Sequence, residues 1–135
     1  GGSGSLLVRV GVLDGPAVGA QNAAQGGAAG TGCGVYALAQ ADGLLFAAYQ
    51  AAVVKVFALR ARVCIHHLEG HTSFVTALAV GTVRGRRSLV SASSDHTLKL
   101  WDLSSYECLE TYAAHAGGVY AVALTPRALF SASSD

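Results

Sequence analysis

Residues 88–103 read Ser-Leu-Val-Ser-Ala-Ser-Ser-Asp-His-Thr-Leu-Lys-Leu-Trp-Asp-Leu, and this stretch decides which fold the sequence predicts. A Gly-His pair, Gly70-His71, precedes it. Its pentapeptide Ser-Ala-Ser-Ser-Asp stands at 91–95 and returns at 131–135. A repeat of such long period indicates a stack of similar structural units.

The repeat extends well beyond the pentapeptide. Lys55–His71 aligns without a gap on Lys99–His115, which lies 44 residues later. A second anchor, Val-x-Ala followed by Leu or Val, occurs at 35–38, 75–78 and 119–122, at spacings of 40 and 44 residues. The four extra residues fall in Gly81–Arg87, which we expect to be a loop. A period of about 40–45 residues is typical of a four-stranded propeller blade.

Short apolar runs in the middle unit predict strands, because each is four to six residues long and bounded by Ser, Asp or Gly. They are Val75–Val80, Leu89–Ser93, Thr97–Trp101 and Glu107–Thr111. No window has a sustained apolar period of 3.6 residues, so we expect almost no helix. The predicted fold is all-β, with about three blades of four antiparallel strands. Closed propellers have about four to eight blades, so we expect an incomplete ring.

Composition limits the classes of function. The 135 residues are 52% apolar and 13% charged, with a net charge of +1, so we expect neither disorder nor a nucleic-acid partner. No stretch is long and apolar enough to cross a membrane, and no secretory signal is visible. Cys33, Cys64 and Cys108 are odd in number and widely spaced, which argues against a disulfide framework. We expect an intracellular protein of the cytoplasm or nucleus.

The chain divides into three parts. Residues 1–5, Gly-Gly-Ser-Gly-Ser, have the composition of a flexible linker. In residues 6–33 we predict one strand, Leu6–Leu13, followed by a Gly- and Ala-rich connection. Residues 34–135 contain the predicted blades.

These residues resemble the WD-repeat β-propeller family. The resemblance rests on Gly70-His71, on Ser-Ala-Ser-Ser-Asp at 91–95, and on Leu-Lys-Leu-Trp-Asp-Leu at 98–103. It covers roughly residues 34 to 135 and is most specific in the middle repeat. The resemblance implies four-stranded blades arranged around a channel, with loops on two faces that bind other proteins.

The resemblance also implies a structural hydrogen-bond chain in the middle blade, from Trp101 through Ser91 to His71 and Asp95. An indole, a hydroxyl, an imidazole and a carboxylate can satisfy one another when buried. The third repeat has His115, Ser131 and Asp135 but no tryptophan. The first repeat has none of these residues. Thr31 stands at the histidine position, Ala47 at the serine position, Ala51 at the aspartate position and Phe57 at the tryptophan position. We therefore expect the first blade to depend on apolar packing by Leu44, Leu45, Phe46, Val54, Val56 and Phe57.

Catalytic and metal-binding alternatives fit the sequence less well. Ser91, His71 and Asp95 have the residue types of a nucleophilic triad, but the set recurs and no Gly-x-Ser-x-Gly elbow surrounds either serine. Cys64, His66, His67 and His71 could suggest a metal cluster, but Cys64, His66 and His67 are too close in sequence to supply tetrahedral zinc geometry with a second ligand pair. Gly30, Gly32 and Gly34 could suggest a phosphate-binding loop, but the lysine of such a loop is missing. We predict no enzyme activity, no metal and no cofactor.

The function that the resemblance implies is a non-catalytic scaffold for protein–protein interaction. The candidate partner-binding residues lie in predicted loops: His71, Thr72, Ser73, Phe74, Asp95, His96, Thr97, Ala116, Gly117 and Gly118. Arg84, Arg86 and Arg87 form the one basic cluster, either a solvated hairpin tip or a contact for an acidic partner. The alternatives are the propeller portion of a multidomain enzyme and the substrate-recognition subunit of a ubiquitin ligase.

Two hypotheses account for an incomplete ring. In the first, the chain is a fragment, and the remaining blades come from the same parent chain. In the second, copies of the chain or other proteins associate and each supplies the missing half-blade. The partners expected are therefore other proteins or peptides, with further blades among them.

Overall fold

The computed structural model describes residues 34–113 and 115–135, and these form ten β-strands. The strands are β1 (Val35–Ala41), β2 (Leu44–Tyr49), β3 (Val53–Ala58), β4 (Val63–Glu69), β5 (Val75–Val83), β6 (Arg86–Ser93), β7 (Leu98–Asp102), β8 (Cys108–Tyr112), β9 (Val119–Leu124) and β10 (Leu129–Ser133). No helix occurs in this part of the chain, so the all-β prediction is confirmed. The predicted strand Leu6–Leu13, the connection that follows it and Thr31 lie outside the described residues.

The strands form three antiparallel sheets. Blade A has the order β1-β2-β3-β4, blade B has the order β5-β6-β7-β8, and half-blade C contains β9 and β10. Neighbouring sheets pack through β1, β5 and β9, which are therefore the innermost strands. The three innermost strands run in the same direction. Each starts at the end that holds the loops 70–74 and 115–118, which we call the upper end. Each finishes at the opposite end, which we call the lower end. The lower end holds the hairpin turns at 42–43, 84–85 and 125–128.

The first hairpin of blade B differs from the sequence prediction. Gly81–Arg87, expected to be a loop, is mostly strand, because β5 continues to Val83 and β6 starts at Arg86. Only Arg84 and Gly85 form the turn, with φ angles of 50° and 79°. Two successive positive φ angles match the twist of a two-residue hairpin, so the extra residues lengthen the strands.

Two hydrophobic clusters join the sheets. The first lies between blades A and B and contains Phe46, Val56, Leu68, Leu89 and Trp101, with further apolar neighbours. The second lies between blade B and half-blade C and contains Val90, Ala92, Leu98, Leu100 and Val119. Alternate residues of β6 enter the two clusters, as the two-residue period of a strand requires. All but the first two residues of β6 are buried for this reason.

Blade A lacks the polar residues of the middle repeat and packs by apolar contact. Phe46, Val54, Val56 and Phe57 are fully buried, and Leu44 and Leu45 are half-buried. Phe57 clusters with Ala47, and these two residues stand where blade B has Trp101 and Ser91. A phenyl ring has no N–H to satisfy, so alanine is a suitable neighbour for it. Full burial of such side chains stabilises the fold by about 1.5–3 kcal/mol each before chain entropy is subtracted.

Candidate functional site

A chain of four hydrogen-bonded side chains crosses blade B from its interior to the upper end. Trp101 Nε1 donates to Ser91 Oγ at 2.8 Å. Ser91 Oγ lies 2.7 Å from His71 Nε2, and His71 Nδ1 lies 2.9 Å from Asp95 Oδ2. Because the Asp95 carboxylate can only accept, Nδ1 carries the imidazole proton, and in the neutral imidazole Nε2 then accepts the Ser91 hydroxyl proton.

Asp95 fixes the loop that precedes β5 to the turn that follows β6. Its carboxylate accepts hydrogen bonds from the backbone N–H groups of Thr72 and Thr97, each at 2.9 Å, and from the Thr97 hydroxyl. Burial by itself would raise the pKa of Asp95. The hydrogen bonds from Thr97, Thr72 and His71 outweigh burial and hold that pKa at about 2. The carboxylate is therefore charged throughout the physiological range.

Burial lowers the pKa of His71 below its ordinary value, although the nearby Asp95 carboxylate opposes that shift. The imidazole therefore stays neutral at neutral pH. Ser91, for its part, is 0% exposed, and its oxygen already accepts the indole N–H of Trp101. The Ser91 hydroxyl is therefore closed to solvent, and its hydrogen bonds are made within the blade to Trp101 and His71.

Half-blade C repeats the arrangement. His115 Nε2 lies 2.8 Å from Ser131 Oγ, and His115 Nδ1 lies 3.1 Å from Asp135 Oδ2. Asp135 also accepts the N–H of Ala116 at 2.8 Å, just as Asp95 accepts that of Thr72. The Ala116 N–H is the main cause of the lowered pKa of Asp135. Equivalent loops of two neighbouring blades are thus held at the upper end in the same way.

Beside these loops lies a cluster that we call the aromatic surface: Tyr36, Phe74 and Tyr120, with Thr76 and Ser94 between them. Tyr36 is 51% exposed, Phe74 42% and Tyr120 55%. The ring centroids of Tyr36 and Phe74 are 5.9 Å apart. Each of the three sheets contributes one ring from the start of its innermost strand, or from just before it. Exposed aromatic clusters of this kind are typical of protein-binding surfaces.

The predicted partner-binding residues lie at the same upper end. Thr72, His96 and Ala116 are exposed, Ser73, Thr97 and Gly117 are half-buried, and Gly118 is buried against the Tyr120 hydroxyl. Of the aromatic surface, Phe74 alone was predicted from the sequence, and Tyr36 and Tyr120 were not. Both tyrosines occupy the variable position of the Val-x-Ala anchor, and this shared position was the available clue.

The arginine cluster is at the lower end, away from the aromatic surface. Arg84 forms an ion pair with Glu110, Arg86 with Asp102 and Arg87 with Asp42. The last pair, at 2.8 Å, joins blade B to the first hairpin of blade A. Each of the three guanidinium groups therefore already has a carboxylate partner within the molecule.

The residues weighed as metal ligands do not converge. Cys64, His66 and His67 all lie on β4, and His66 stacks on Tyr106 with ring centroids 4.1 Å apart. His71 is engaged with Ser91 and Asp95. Within residues 34–113 and 115–135, no group of three histidine, cysteine or acidic side chains is arranged to hold a metal ion. The same part of the chain contains no helix that would span a membrane.

Comparison with known proteins agrees with this geometry. The family model described as "WD domain, G-beta repeat" matches residues 62–102, which include His71, Ser91, Asp95 and Trp101. Among solved structures, U3-55K and the WD40 repeats of RRP9 each superpose with a TM-score of 0.59 at 23% identity. In each case the match covers 65% of this chain and 27% of the other, and at that identity it shows the fold alone.

Curated relatives match over shorter segments. The probable E3 ubiquitin ligase complex SCF subunit sconB of Arthroderma otae is 43% identical over 60 residues, which are 44% of this chain and 9% of the relative. The zinc finger CCCH domain-containing protein 17 of Oryza sativa is 38% identical over 91 residues, 63% of this chain and 20% of the relative. The chain thus spans a fifth or less of these relatives. Residues 62–102 therefore match a WD repeat, and the sheets on either side of it share the blade fold of WD40 structures.

Proposed function

We propose that this chain is a non-catalytic interaction scaffold that binds a peptide or a protein domain on its aromatic surface. The observation that supports this proposal is the convergence of Tyr36, Phe74 and Tyr120, one from each sheet, with about half of each side chain in solvent. Phenyl and phenol rings provide a large contact area and lose few rotamers on binding, so they dominate many protein interfaces.

The rigidity of the surrounding loops favours the same function. The hydrogen bonds of Asp95 and Asp135 hold the segments before β5 and before β9, and those segments lead directly into Phe74 and Tyr120. A surface that is already ordered loses less entropy when a partner binds. Thr72, Ser73, His96, Thr97, Ala116 and Gly117 surround the rings and offer polar groups for the rim of an interface.

Selection from a random peptide library displayed on phage tests this proposal. Peptides selected on the wild-type protein should lose at least about tenfold in affinity for Phe74→Ala and for Tyr120→Ala, as expected for central interface aromatics. Ile65→Ala is the matched control, because Ile65 is an equally exposed apolar residue on β4, remote from the innermost strands. If Ile65→Ala lost as much peptide affinity, or if the peptides bound both aromatic variants as tightly as wild type, the aromatic surface would not be the binding site.

A second candidate function is substrate recognition within a ubiquitin ligase or another multidomain enzyme. The similarity to SCF subunits favours it, although that match covers 60 residues in the repeat region. In that case the aromatic surface would bind the substrate, and catalysis would reside in other chains or domains. An ubiquitination assay with the full-length protein, comparing wild type with Phe74→Ala, distinguishes this role from that of a scaffold without linked catalysis.

A further inference from the structure

The arginines of the described residues are gathered at the lower end of the molecule. Each lies in a lower turn or in the first two residues of the strand that follows one: Arg60, Arg62, Arg84, Arg86, Arg87 and Arg127. We call these six residues the lower arginines, and all six are exposed. The two lysines of the same part of the chain, Lys55 and Lys99, lie within β3 and β7. No arginine of the described residues is found at the upper end.

Contacts between the lower turns place these arginines on one continuous surface that crosses all three sheets. In blade A, the turn at 59–62 is joined to the β1–β2 turn, because its first N–H donates to a carbonyl of that turn at 3.0 Å. Asp42 of the β1–β2 turn accepts a hydrogen bond from Arg87 of blade B at 2.8 Å. Arg84 of blade B and Arg127 of half-blade C line the same cavity, so they too are neighbours.

The lower end has a net positive charge. The carboxylates that lie at that end or form ion pairs with it are Asp42, Asp102, Glu107 and Glu110. Six guanidinium groups against four carboxylates leave two positive charges. In the rest of the described chain two lysines stand against three carboxylates, which leaves one negative charge. The positive charge is therefore concentrated at one end, although the net charge of the whole chain is only +1.

Half of the lower arginines have no carboxylate partner within the described residues: Arg60, Arg62 and Arg127. They stand on turns whose backbone is fixed by hydrogen bonds. The Arg62 N–H donates to the Ala58 carbonyl at 2.7 Å. The Thr125 hydroxyl oxygen accepts the N–H of Ala128 at 3.0 Å. Because the backbone beneath these side chains is already ordered, a partner that binds them causes a smaller loss of entropy.

The three ion-paired arginines also keep donors for a partner. Arg84 and Arg86 each contact a carboxylate through one terminal nitrogen, and Arg87 does so through Nε. A guanidinium group has five N–H donors, so several of them in each side chain remain without a carboxylate. These side chains are between 45% and 78% exposed. Ion pairs as exposed as these contribute little to stability, so the carboxylate of a partner can share the guanidinium group.

We propose that the lower arginines bind an acidic segment of another polypeptide, in which aspartate or glutamate alternates with small neutral residues. Guanidinium groups bind carboxylates through two parallel hydrogen bonds, which a lysine cannot form. An extended polypeptide places every second side chain on one face, about 6.7 Å apart. Its carboxylates can therefore lie opposite the arginines and avoid the four carboxylates of this end.

A nucleic acid fits this charge pattern less well. Its backbone has a negative charge at every nucleotide, about 3.4 Å apart along each strand of a duplex. Such an unbroken row would bring phosphates against Asp42, Glu107 and Glu110 as well as against the arginines. An acidic polypeptide is therefore the favoured partner. The surface is separate from the aromatic surface at the upper end, and the inference does not depend on the proposed function.

Fluorescence anisotropy of dye-labelled probes added to the full chain tests the proposal. The first probe is a peptide of about 12 residues in which aspartate and alanine alternate. The second has asparagine at every aspartate position, and the third is a single-stranded DNA of the same number of units. We expect the aspartate peptide to bind at least about tenfold more tightly than the asparagine peptide and more tightly than the DNA. Raising the salt from about 50 mM to about 200 mM should weaken its binding, because exposed charges are screened.

A variant that combines Arg60→Gln, Arg62→Gln and Arg127→Gln tests the location. It breaks no ion pair within the described residues, so it should fold like wild type, which circular dichroism establishes. It should lose roughly tenfold in affinity for the aspartate peptide, at about twofold for each guanidinium group. The control combines Lys55→Gln with Lys99→Gln, which removes positive charge away from the lower end, and it should bind the peptide nearly as well as wild type.

Phe74→Ala should also bind the aspartate peptide normally, which separates the lower arginines from the aromatic surface. The comparison of the probes in wild type does not depend on any variant. Absence of binding by the aspartate peptide, equal binding by the asparagine peptide, or tighter binding by the DNA would overturn the proposal. So would an equal loss of affinity in the arginine variant and the lysine control, or full affinity in the arginine variant.

Discussion

The indole N–H of Trp101 donates a 2.8 Å hydrogen bond to the hydroxyl of Ser91 on the neighbouring strand of blade B. Both side chains are buried, and the hydroxyl is shared with His71. Because Ser91 is the acceptor for one buried group and the donor to another, its removal leaves two polar atoms unsatisfied. Every buried side-chain nitrogen and oxygen in the described residues has a partner in the native fold.

Ser91→Ala should therefore lower the free energy of unfolding by about 2–4 kcal/mol, since each unsatisfied buried group costs about 1–3 kcal/mol. Urea denaturation followed by circular dichroism measures the change. Ser88→Ala is the matched control, because Ser88 is equally buried but donates only to the Arg86 carbonyl. It should cost about 1 kcal/mol. Similar losses for the two serines would show that Ser91 does not act through the network.

The Phe57 and Ala47 pair of blade A indicates which second substitution would compensate blade B for the loss of the Ser91 hydroxyl. Trp101→Phe in combination with Ser91→Ala reproduces that pair. The double variant should be less destabilised than the sum of the two single variants by about 0.5–3 kcal/mol, because removing the indole N–H removes one of the groups that Ser91→Ala leaves unpaired. Urea unfolding of the four proteins of the cycle gives this coupling energy. Strict additivity would contradict a direct interaction between the two side chains.

The blade architecture was predictable because its determinants are local in sequence. The Val-x-Ala anchors mark β1, β5 and β9, and the two Ser-Ala-Ser-Ser-Asp stretches mark the ends of β6 and β10. Alternation of apolar and small residues over four to eight positions is sufficient to indicate such strands. The partners of His71 could be named from the family resemblance, because every member of the chain occupies a fixed position in one repeat.

The aromatic surface was less predictable because it depends on how the sheets are placed beside one another. Tyr36, Phe74 and Tyr120 are far apart in sequence and meet only when β1, β5 and β9 converge. The length of the β5–β6 hairpin was also missed. Arg86 and Arg87 look like loop residues in the sequence, yet as strand residues they form ion pairs with Asp102 and Asp42. Those carboxylates lie on other hairpins, so local sequence could not reveal them.

The two-residue turn of that hairpin gives a prediction about backbone geometry. Gly85 has a φ of 79°, and a Cβ built at this position would contact nothing within 4 Å. Gly85→Ala should therefore lower the free energy of unfolding by about 1 kcal/mol through backbone strain alone. Gly85→Asn should cost less, because asparagine tolerates a positive φ better than alanine. Thermal unfolding of the two variants makes the comparison, and an equal cost would point to a cause other than φ.

The His71–Asp95 pair predicts how stability depends on pH. Burial places the pKa of His71 in the folded protein below the ordinary 6.5, so below about pH 6.5 the unfolded chain binds a proton that the folded chain does not. The free energy of unfolding should therefore fall as pH drops below about 6.5. Asp95, whose pKa is about 2 when folded against 3.8 ordinarily, should add a further fall below about pH 3.8.

Urea midpoints measured from pH 8 to pH 4 test the histidine part of this dependence. His71→Gln should be less stable at pH 8, because it breaks the bonds to Ser91 and Asp95, but its stability should decline less steeply between pH 6.5 and pH 5. His96→Gln is the matched control, since His96 is an exposed histidine in the turn between β6 and β7. It should keep the wild-type slope. If His71→Gln also kept the wild-type slope, His71 would not be the group that titrates. The assignment of a neutral, hydrogen-bonded His71 in the folded protein would then be wrong.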